Sequence, residues 1–469
     1  MKHSSVTPLA LLLTTLCGGV QAADLTDVAN AAWNYDGTWR AARKTWDADQ
    51  QLRVQSRAAL LPTVTASYSR YNNSRDIEDL NTTLDFDSEV SSVKLVQPLF
   101  RVDAWYGNKE AKALTNAAEA NFHQARQDFV LRVANGYFGV LRAWDNLVSA
   151  QAEEKAISRQ LDQTKERFNV GLVPATDVEE AQASYDLTRV NLIVAQQNYD
   201  VARDQLETLT GKQWQSLAEL KDKLPMEGPQ PAKVDQWVSK AKSQNPQVQA
   251  AHYNATASEN TAKRQFGAQL PKVQLVAQYQ HSHYAPDDSS ASGSALAGSS
   301  GLYDSKDRQI GVEVTLPLFE GGGLNSRRKE AALRADAAND QYQQAVRSIS
   351  QQARTSYRTV EADALRVKAR KQAIRSARSA LEATQSGYEV GTRNVVDVLN
   401  AQRALYAAER DYANARYDYI INTLTLKSTT GELDQQDLVA VNNWLSAQQT
   451  LNVYHPDLEG QSEQLMPKK

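Results

Sequence analysis

The feature that most constrains the fold is an internal repeat with an offset of about 220 residues. The recurring strings are Leu61-Pro62-x-Val64 and Leu270-Pro271-x-Val273, Pro98-Leu99-Phe100 and Pro317-Leu318-Phe319, Phe168-x-Val170-Gly171 and Tyr388-x-Val390-Gly391, and Asp177-Val178 and Asp397-Val398. They keep their order and nearly their spacing along most of the chain. The sequence therefore predicts two copies of one structural unit.

Each copy has the same predicted order of elements, because helical periodicity and period-2 alternation occur in the same places. The first repeat, 23–210, predicts helices over 25–60, 103–169 and 176–209 and strands over 63–71 and 88–97. The second repeat, 234–430, predicts helices over 234–269, 325–389 and 395–429 and strands over 272–284 and 306–316. Leu-Pro pairs end the first helix of each repeat, and polar loops, 72–87 and 285–304, join the strands.

The longest helices limit how the chain can pack. The segments 103–169 and 325–389 contain no proline, and at about 1.5 Å per residue each could extend roughly 100 Å. Helices of this length are too long to be buried in one globular core, and they are expected to lie side by side in a coiled-coil array. Gly171 and Gly391 follow them, as glycine does at helix C-caps.

Three further segments complete the organisation. Residues 1–22 have a short apolar run and a small-x-small end at Val20-Gln21-Ala22, which predicts a cleaved signal peptide. The only cysteine, Cys17, lies within it; a lipoprotein is the alternative, although Leu16 occupies the place where a small residue is expected. Residues 211–233 are read as a linker, 431–448 as its packing partner at the end of the second repeat, and 449–469 as a disordered tail.

Composition excludes several classes of function. There are 52 basic and 55 acidic residues, for a net charge of −3, which gives no reason to expect nucleic acid as a partner. No segment after the signal peptide reaches about 18 consecutive apolar residues, so no transmembrane helix is expected. No nucleophile–base set, cofactor motif or metal site stands out: His281 and His283 lack a third ligand, and Gly321-Gly322-Gly323 lacks the lysine of a phosphate loop.

Four strands per chain could form a transmembrane barrel only if several copies of the chain contribute their strands to one closed sheet. Four strands cannot close a barrel, and an open sheet edge is not tolerated in lipid. Two chains would give eight strands and an interior filled by side chains, whereas three would give twelve and leave a lumen. Strand counting thus favours a trimer if the protein is a conduit. The alternative is a periplasmic protein with two hairpins on a helical bundle.

The chain resembles the TolC-like family of outer-membrane efflux proteins from about residue 25 to residue 448. The resemblance is carried by Gly387-Tyr388-Glu389-Val390-Gly391-Thr392-Arg393-Asn394-Val395-Val396-Asp397-Val398-Leu399, by Arg167-Phe168-Asn169-Val170-Gly171-Leu172, by Ala413-Asn414-Ala415-Arg416-Tyr417-Asp418-Tyr419 and by Gln436-Asp437-Leu438-Val439-Ala440. It implies a mainly α fold with transmembrane β: a homotrimer with a 12-stranded β-barrel in the outer membrane, a 12-helix α-barrel across the periplasm and a mixed equatorial region.

The resemblance also implies a function. Such proteins are passive exit ducts of tripartite multidrug efflux pumps and type I secretion systems. Their partners are periplasmic adaptor proteins, inner-membrane RND, MFS or ABC transporters, and outer-membrane lipid, and they need no cofactor. A periplasmic adaptor is a rival reading, but adaptors usually have one long hairpin and no duplicated strand pair. An enzyme is the second rival, disfavoured by the missing catalytic set.

By resemblance, Asp397 projects its carboxylate into the closed periplasmic mouth, where three copies would form an acidic ring that attracts cations. Close relatives have a second aspartate where this chain has Asn400, so weaker cation block is expected here. The alternative is that Arg393 and Asp397 form an ordinary i,i+4 surface pair.

The resemblance further assigns a closed-state latch and docking tips. Tyr388 and Arg393 match the latch residues of the second repeat, and Thr176 and Asp177 match their partners in the first. Routine helix capping is the alternative for Thr176 and Asp177. The tip residues that would meet the adaptor are Gly171, Leu172, Gly391 and Thr392.

Overall fold

The computed structural model describes residues 22–77, 82–222, 224–286 and 304–453. The expected signal peptide up to residue 21, most of the 285–304 loop and the tail after residue 453 lie outside these ranges. The chain forms two compact units, which are described separately: one comprises Met1–Arg40, Ala125–Ala241 and Gln352–Lys469, and the other Ala41–Gln124 and Lys242–Gln351.

The described elements include the two strands and the two long helices that each repeat predicts, together with further short elements. They are α1 (Leu25–Tyr35), α2 (Gly37–Ala58), β1 (Thr63–Ile77), β2 (Thr82–Phe100), α3 (Val102–Asn169), α4 (Ala175–Thr210), β3 (Ser216–Leu220), α5 (Val234–Gln244), α6 (Pro246–Gly267), β4 (Lys272–Pro286), β5 (Asp304–Thr315), α7 (Gly323–Glu389), α8 (Val395–Thr430), α9 (Gln435–Asn442) and β6 (Leu445–Asn452). Within the described ranges, no helix has the length and apolar character needed to cross a bilayer.

The first helix of each repeat is divided, which corrects the expected helices 25–60 and 234–269. In the first repeat Asp36 leaves the helical conformation, and its carboxylate accepts hydrogen bonds from Thr38 N at 2.9 Å and from Arg132 at 2.6 Å. In the second repeat Asn245 caps α6, which begins at Pro246. A proline disfavours helical geometry in the residue before it and lacks the N–H that a helix interior requires, so the helix restarts there.

The larger sheet lies in the second unit and has the antiparallel order β1-β2-β4-β5. Its central contact, β2 against β4, joins the two repeats, with Val93 opposite Tyr279. The strands exceed their predicted lengths: β1 continues to Ile77 and β2 begins at Thr82, so most of the loop expected over 72–87 is sheet. Hairpin pairing satisfies the backbone groups of these polar residues, which lack the apolar alternation that marks a strand.

The two faces of this sheet differ in chemistry. One face has the row Val64, Leu95, Ala277 and Ile310 across the four strands, flanked in β5 by Val312 and Val314. The opposite face has the row Thr65, Lys94, Gln278 and Gln309. Ile310 is 79% exposed, so the apolar face is uncovered in the single chain.

A second, two-stranded sheet pairs β3 with β6 in the first unit. β3 lies in the expected linker 211–233, and β6 begins within the segment 431–448 that was expected to pack against it, although neither was expected to be a strand. β6 continues to Asn452, past the expected start of the tail at 449. Two helix tyrosines hold this sheet: Tyr137 donates to Ala218 O at 2.6 Å, and Tyr199 donates to Val453 O at 2.8 Å. The partner strands are too far apart in sequence for local patterning to reveal their pairing.

Candidate functional site

The two long helical hairpins of the first unit turn at glycines. Gly171 has φ +76 and Gly391 has φ +82. Leu172 N donates to Arg167 O at 2.9 Å, and Thr392 N donates to Gly387 O at 2.8 Å, each closing the last turn of a helix. These contacts confirm the predicted glycine C-caps and place all four predicted tip residues at the turns.

The helices that follow the turns begin differently. Asn394 caps α8, because its side chain accepts a 2.8 Å hydrogen bond from Asp397 N. α4 begins after Pro174, with no side-chain cap hydrogen bond. Thr176 is exposed, and Asp177, which is half-buried, is the acidic residue of the first turn of α4.

Behind the turns, all four helices contribute to one buried cluster. Its members are Ile157, Leu161, Ala181, Leu381, Tyr388, Val395, Val398, Leu399 and Leu405. Because α3 and α4 belong to the first repeat and α7 and α8 to the second, the cluster couples the end of one hairpin to the end of the other.

The predicted mouth residues lie at the start of α8. Asp397 Oδ2 lies 3.7 Å from Arg393 Nη1, with the side chains 37% and 62% exposed. This is the i,i+4 pair considered above as the alternative, and at this exposure it contributes only about 0–1 kcal/mol. Asn400, one turn later, is exposed. In the single chain the Asp397 carboxylate thus remains available to solvent.

The four predicted latch side chains are not joined in this conformation. Arg393 pairs with Asp397, and the buried hydroxyl of Tyr388 has no hydrogen-bond partner within the described chain. The ring of Tyr388 instead faces Arg167, whose guanidinium carbon lies 4.6 Å from the ring centroid. The sequence did not single out Arg167 as a site residue, because a contact between α3 and α7 has no local signal.

One half-buried and one buried acid, Asp145 and Glu409, lie farther along the same helices. Tyr417 donates a 2.8 Å hydrogen bond to Asp145 Oδ2. Burial raises the pKa of Asp145 to about 6, against the lowering effects of the Tyr417 hydrogen bond and the Arg416 charge. Burial likewise raises the pKa of Glu409, although Arg378 lies 3.0 Å from its Oε1 and acts to lower it.

The described residues offer no constellation for metal chemistry: across 22–77, 82–222, 224–286 and 304–453, no group of three or more His, Cys, Asp or Glu is placed to hold a metal ion. The distinctive features are two hairpin turns capped by glycine, one buried cluster shared by both hairpins, and a sheet with one apolar and one polar face.

Comparison with known proteins finds one family model and several relatives that cover most of the chain. The family described as Outer membrane efflux protein matches residues 36–212 and 237–432. The chain is 35% identical over 433 residues to Outer membrane protein TolC of Escherichia coli (strain K12), covering 91% of this chain and 86% of that protein. It is 28% identical over 427 residues to Alkaline protease secretion protein AprF of Pseudomonas aeruginosa, covering 89% of this chain and 86% of that protein.

A solved structure supports the fold. The outer membrane protein VceC from Vibrio cholerae aligns with a TM-score of 0.72 at 19% identity, covering 87% of this chain and 96% of the other. At this identity the likeness concerns the fold alone, and the folds agree over nearly the whole of both chains.

Proposed function

The chain belongs to the outer membrane efflux protein family, and on that premise we propose that three copies of it form the exit duct for efflux and type I secretion. It is an outer-membrane channel and not an enzyme. The main support for the trimer is the four-stranded sheet, in which β1 and β5 are the edge strands and pair with no further strand of the described residues. In lipid each edge needs a partner, and three sheets joined edge to edge form a closed twelve-stranded barrel.

The two faces of the sheet support this arrangement. The apolar row that contains Val64 and Ile310 would face lipid, and the polar row that contains Thr65 and Gln309 would face the lumen. Alternation of apolar and polar residues along each strand is what a water-filled transmembrane barrel requires.

The long hairpins α3–α4 and α7–α8 would form the periplasmic tunnel. Three copies contribute twelve helical stretches, and the β3–β6 sheet belongs to the equatorial region around them. The passive duct opens when periplasmic adaptors and inner-membrane RND, MFS or ABC transporters dock. The glycine turns suit adaptor docking, because Leu172 and Val390 beside them are 72% and 75% exposed.

At the closed mouth, Asp397 of each copy would form one acidic ring, with Asn400 beside it. Tyr388 and Arg393 of the second repeat would pair with Thr176 and Asp177 of the first and hold the mouth shut until a docked partner competes for these groups. Support comes from the exposure of Arg393, which is free to exchange its weak pair with Asp397.

Fractionation combined with planar-bilayer recording tests the proposal. Wild-type protein should be found in the outer membrane and should give single-channel conductance. Ile310→Lys should reduce assembly, because a charge on the lipid face costs about 2–4 kcal/mol at the bilayer centre. Gln309→Lys, on the opposite face, is the matched control and should assemble with a shift toward anion selectivity. Wild-type protein that is absent from the outer membrane, or that gives no conductance, would overturn the proposal.

The latch has its own test in the same recordings. Arg393→Ala and Asp177→Ala should each raise conductance, and the double variant should resemble the single variants if the two side chains act on each other. Conductance equal to that of the wild type in both single variants would contradict this latch.

A further inference from the structure

The apolar face of the four-stranded sheet changes in character toward the ends of its hairpins. On β5 this face is formed by Ile310, Val312 and Val314, which are 79%, 61% and 62% exposed. The next two residues of the same face along the strand are Arg308 and Lys306, and both are exposed. Two cations therefore follow directly on the surface that is proposed to meet lipid.

Pairing with β4 fixes the side of the sheet on which the two cations lie. Arg308 is opposite Tyr279, and Lys306 is opposite His281. Side chains alternate along a strand, so Lys306, Arg308 and Ile310 share one face. The guanidinium carbon of Arg308 also lies 5.9 Å from the centroid of the Tyr279 ring, within the range of a cation–π contact. Both cations thus belong to the apolar face and not to the polar face proposed to line the lumen.

The neighbouring charges on this part of the sheet are compensated, whereas these two are not. Asp304 pairs with His281, and Arg70 pairs with two acidic residues of β2. Among the ion pairs of the described strands, none includes Arg308 or Lys306. A cation on a lipid-facing surface costs free energy unless an anion accompanies it. An anion supplied by the membrane would remove this cost.

The position of the pair along β5 selects one leaflet of the membrane. β2 ends at Phe100 just before α3, and β5 is followed by α7, so this end of the sheet adjoins the helices proposed to cross the periplasm. Lys306 lies toward the opposite end, about 13 Å from Ile310 at roughly 3.3 Å per residue. The two cations therefore lie on the extracellular side of the apolar row, at the level of the outer headgroups.

We propose that Arg308 and Lys306 bind the phosphate groups of a phosphorylated glycolipid in the outer leaflet. A guanidinium can donate two parallel hydrogen bonds to phosphate oxygens, and an ammonium adds a compact charge. The two positions are roughly 7 Å apart along the strand, a span that one phosphorylated headgroup can cover. Its acyl chains would then lie against Ile310 and the apolar residues beyond it. This inference rests on the proposed channel function and names a lipid that the channel selects.

Native mass spectrometry of purified full-length protein, freed of bound lipid and titrated with lipid A, tests the site. Arg308→Gln and Lys306→Gln should each weaken the binding of lipid A about tenfold, because each removes a charged partner of phosphate. Lys94→Gln is the matched control. It removes one positive charge from the opposite, polar face of the same sheet and should bind lipid A as the wild type does.

Two further lipids separate the phosphate from the rest of the ligand. Lipid A stripped of its phosphates should bind to the wild type no more tightly than lipid A binds to the double variant Arg308→Gln/Lys306→Gln. Phosphatidylglycerol, an anionic lipid without a sugar backbone, should bind about tenfold more weakly than lipid A. Equal binding of lipid A to the double variant and the wild type would overturn the site. Equal binding of either further lipid to the wild type would overturn the assignment to a phosphorylated glycolipid.

Failure of this site and failure of the channel proposal are distinguishable. Conductance recorded in planar bilayers that contain no lipid A tests the channel alone, and its absence contradicts the channel. Normal wild-type conductance together with lipid A binding that is unaltered in the double variant contradicts only the lipid site. Should Arg308→Gln not assemble, Lys306→Gln and its control Lys94→Gln still decide the question.

Discussion

The phenol of Tyr417 on α8 donates a 2.8 Å hydrogen bond to Oδ2 of Asp145 on α3. The pair links a helix of the second repeat to a helix of the first. Next to it, Arg416 donates to Lys221 O at 2.5 Å, just after β3. The half-buried carboxyl of Asp145 therefore lies where α3, α8 and the small sheet meet.

The first prediction concerns pH. The folded pKa of Asp145, about 6, lies above its ordinary value of 3.8, so its contribution to stability is fully present below pH 3.8 and is lost as the pH rises through 6. Asp145→Asn keeps an oxygen acceptor for Tyr417 but cannot ionise. The variant should match the wild type near pH 4 and exceed it by about 1–3 kcal/mol above pH 7.

Thermal unfolding in detergent from pH 4 to pH 8 measures this difference. Asp162→Asn, at an exposed position of the same helix, is the control and should leave the pH profile unchanged. Parallel profiles for the wild type and Asp145→Asn would contradict the prediction.

The second prediction concerns the break between α1 and α2. Asp36 is 7% exposed, and Arg132 Nη2 lies 2.6 Å from its Oδ2. Arg132→Met would leave a buried carboxylate with too few partners and should cost about 2–4 kcal/mol in chemical unfolding. Adding Asp36→Asn removes the unpaired charge and should recover part of the loss; a double variant less stable than Arg132→Met would refute this account.

The third prediction compares two glycines with the same left-handed backbone. Gly211 has φ +68, and a Cβ there would lie 2.5 Å from a ring carbon of Tyr35. Gly171 has φ +76 and open space around it. Gly171→Ala should cost about 1–2 kcal/mol from backbone strain alone. Gly211→Ala should lower the free energy of unfolding by about 1–3 kcal/mol more than Gly171→Ala, because the Tyr35 ring must also move. Equal losses for the two variants in chemical unfolding would contradict this prediction.

The fourth prediction concerns the mouth. Three Asp397 carboxylates near one axis should bind a trivalent cation, and hexaamminecobalt should block single-channel current from the periplasmic side. Asp397→Asn should abolish block, and Asn400→Asp should strengthen it about tenfold or more by doubling the number of carboxylates. If hexaamminecobalt blocks Asp397→Asn as strongly as the wild type, Asp397 does not line the mouth.

Much of the architecture could be predicted from local patterns. The helix expected over 103–169 corresponds to Val102–Asn169 in the structure, because helical periodicity, the absence of proline and a following glycine all act within a few residues. The strands were predicted too short, since their outer halves are polar and are held by hairpin hydrogen bonds. Pro246 is a local signal for the break in the helix expected over 234–269, because a proline disfavours helical geometry at the preceding Asn245.

The sequence by itself determined the duplication, the long helices, the glycine turns and the family, because each is expressed in neighbouring residues or in recurring strings. The tertiary structure alone decided that β3 pairs with β6, that Asp145 meets Tyr417 and that Arg167 stacks on Tyr388. These contacts join residues that are far apart in the chain. Their energies depend on desolvation and distance, which exist only once the two repeats have packed.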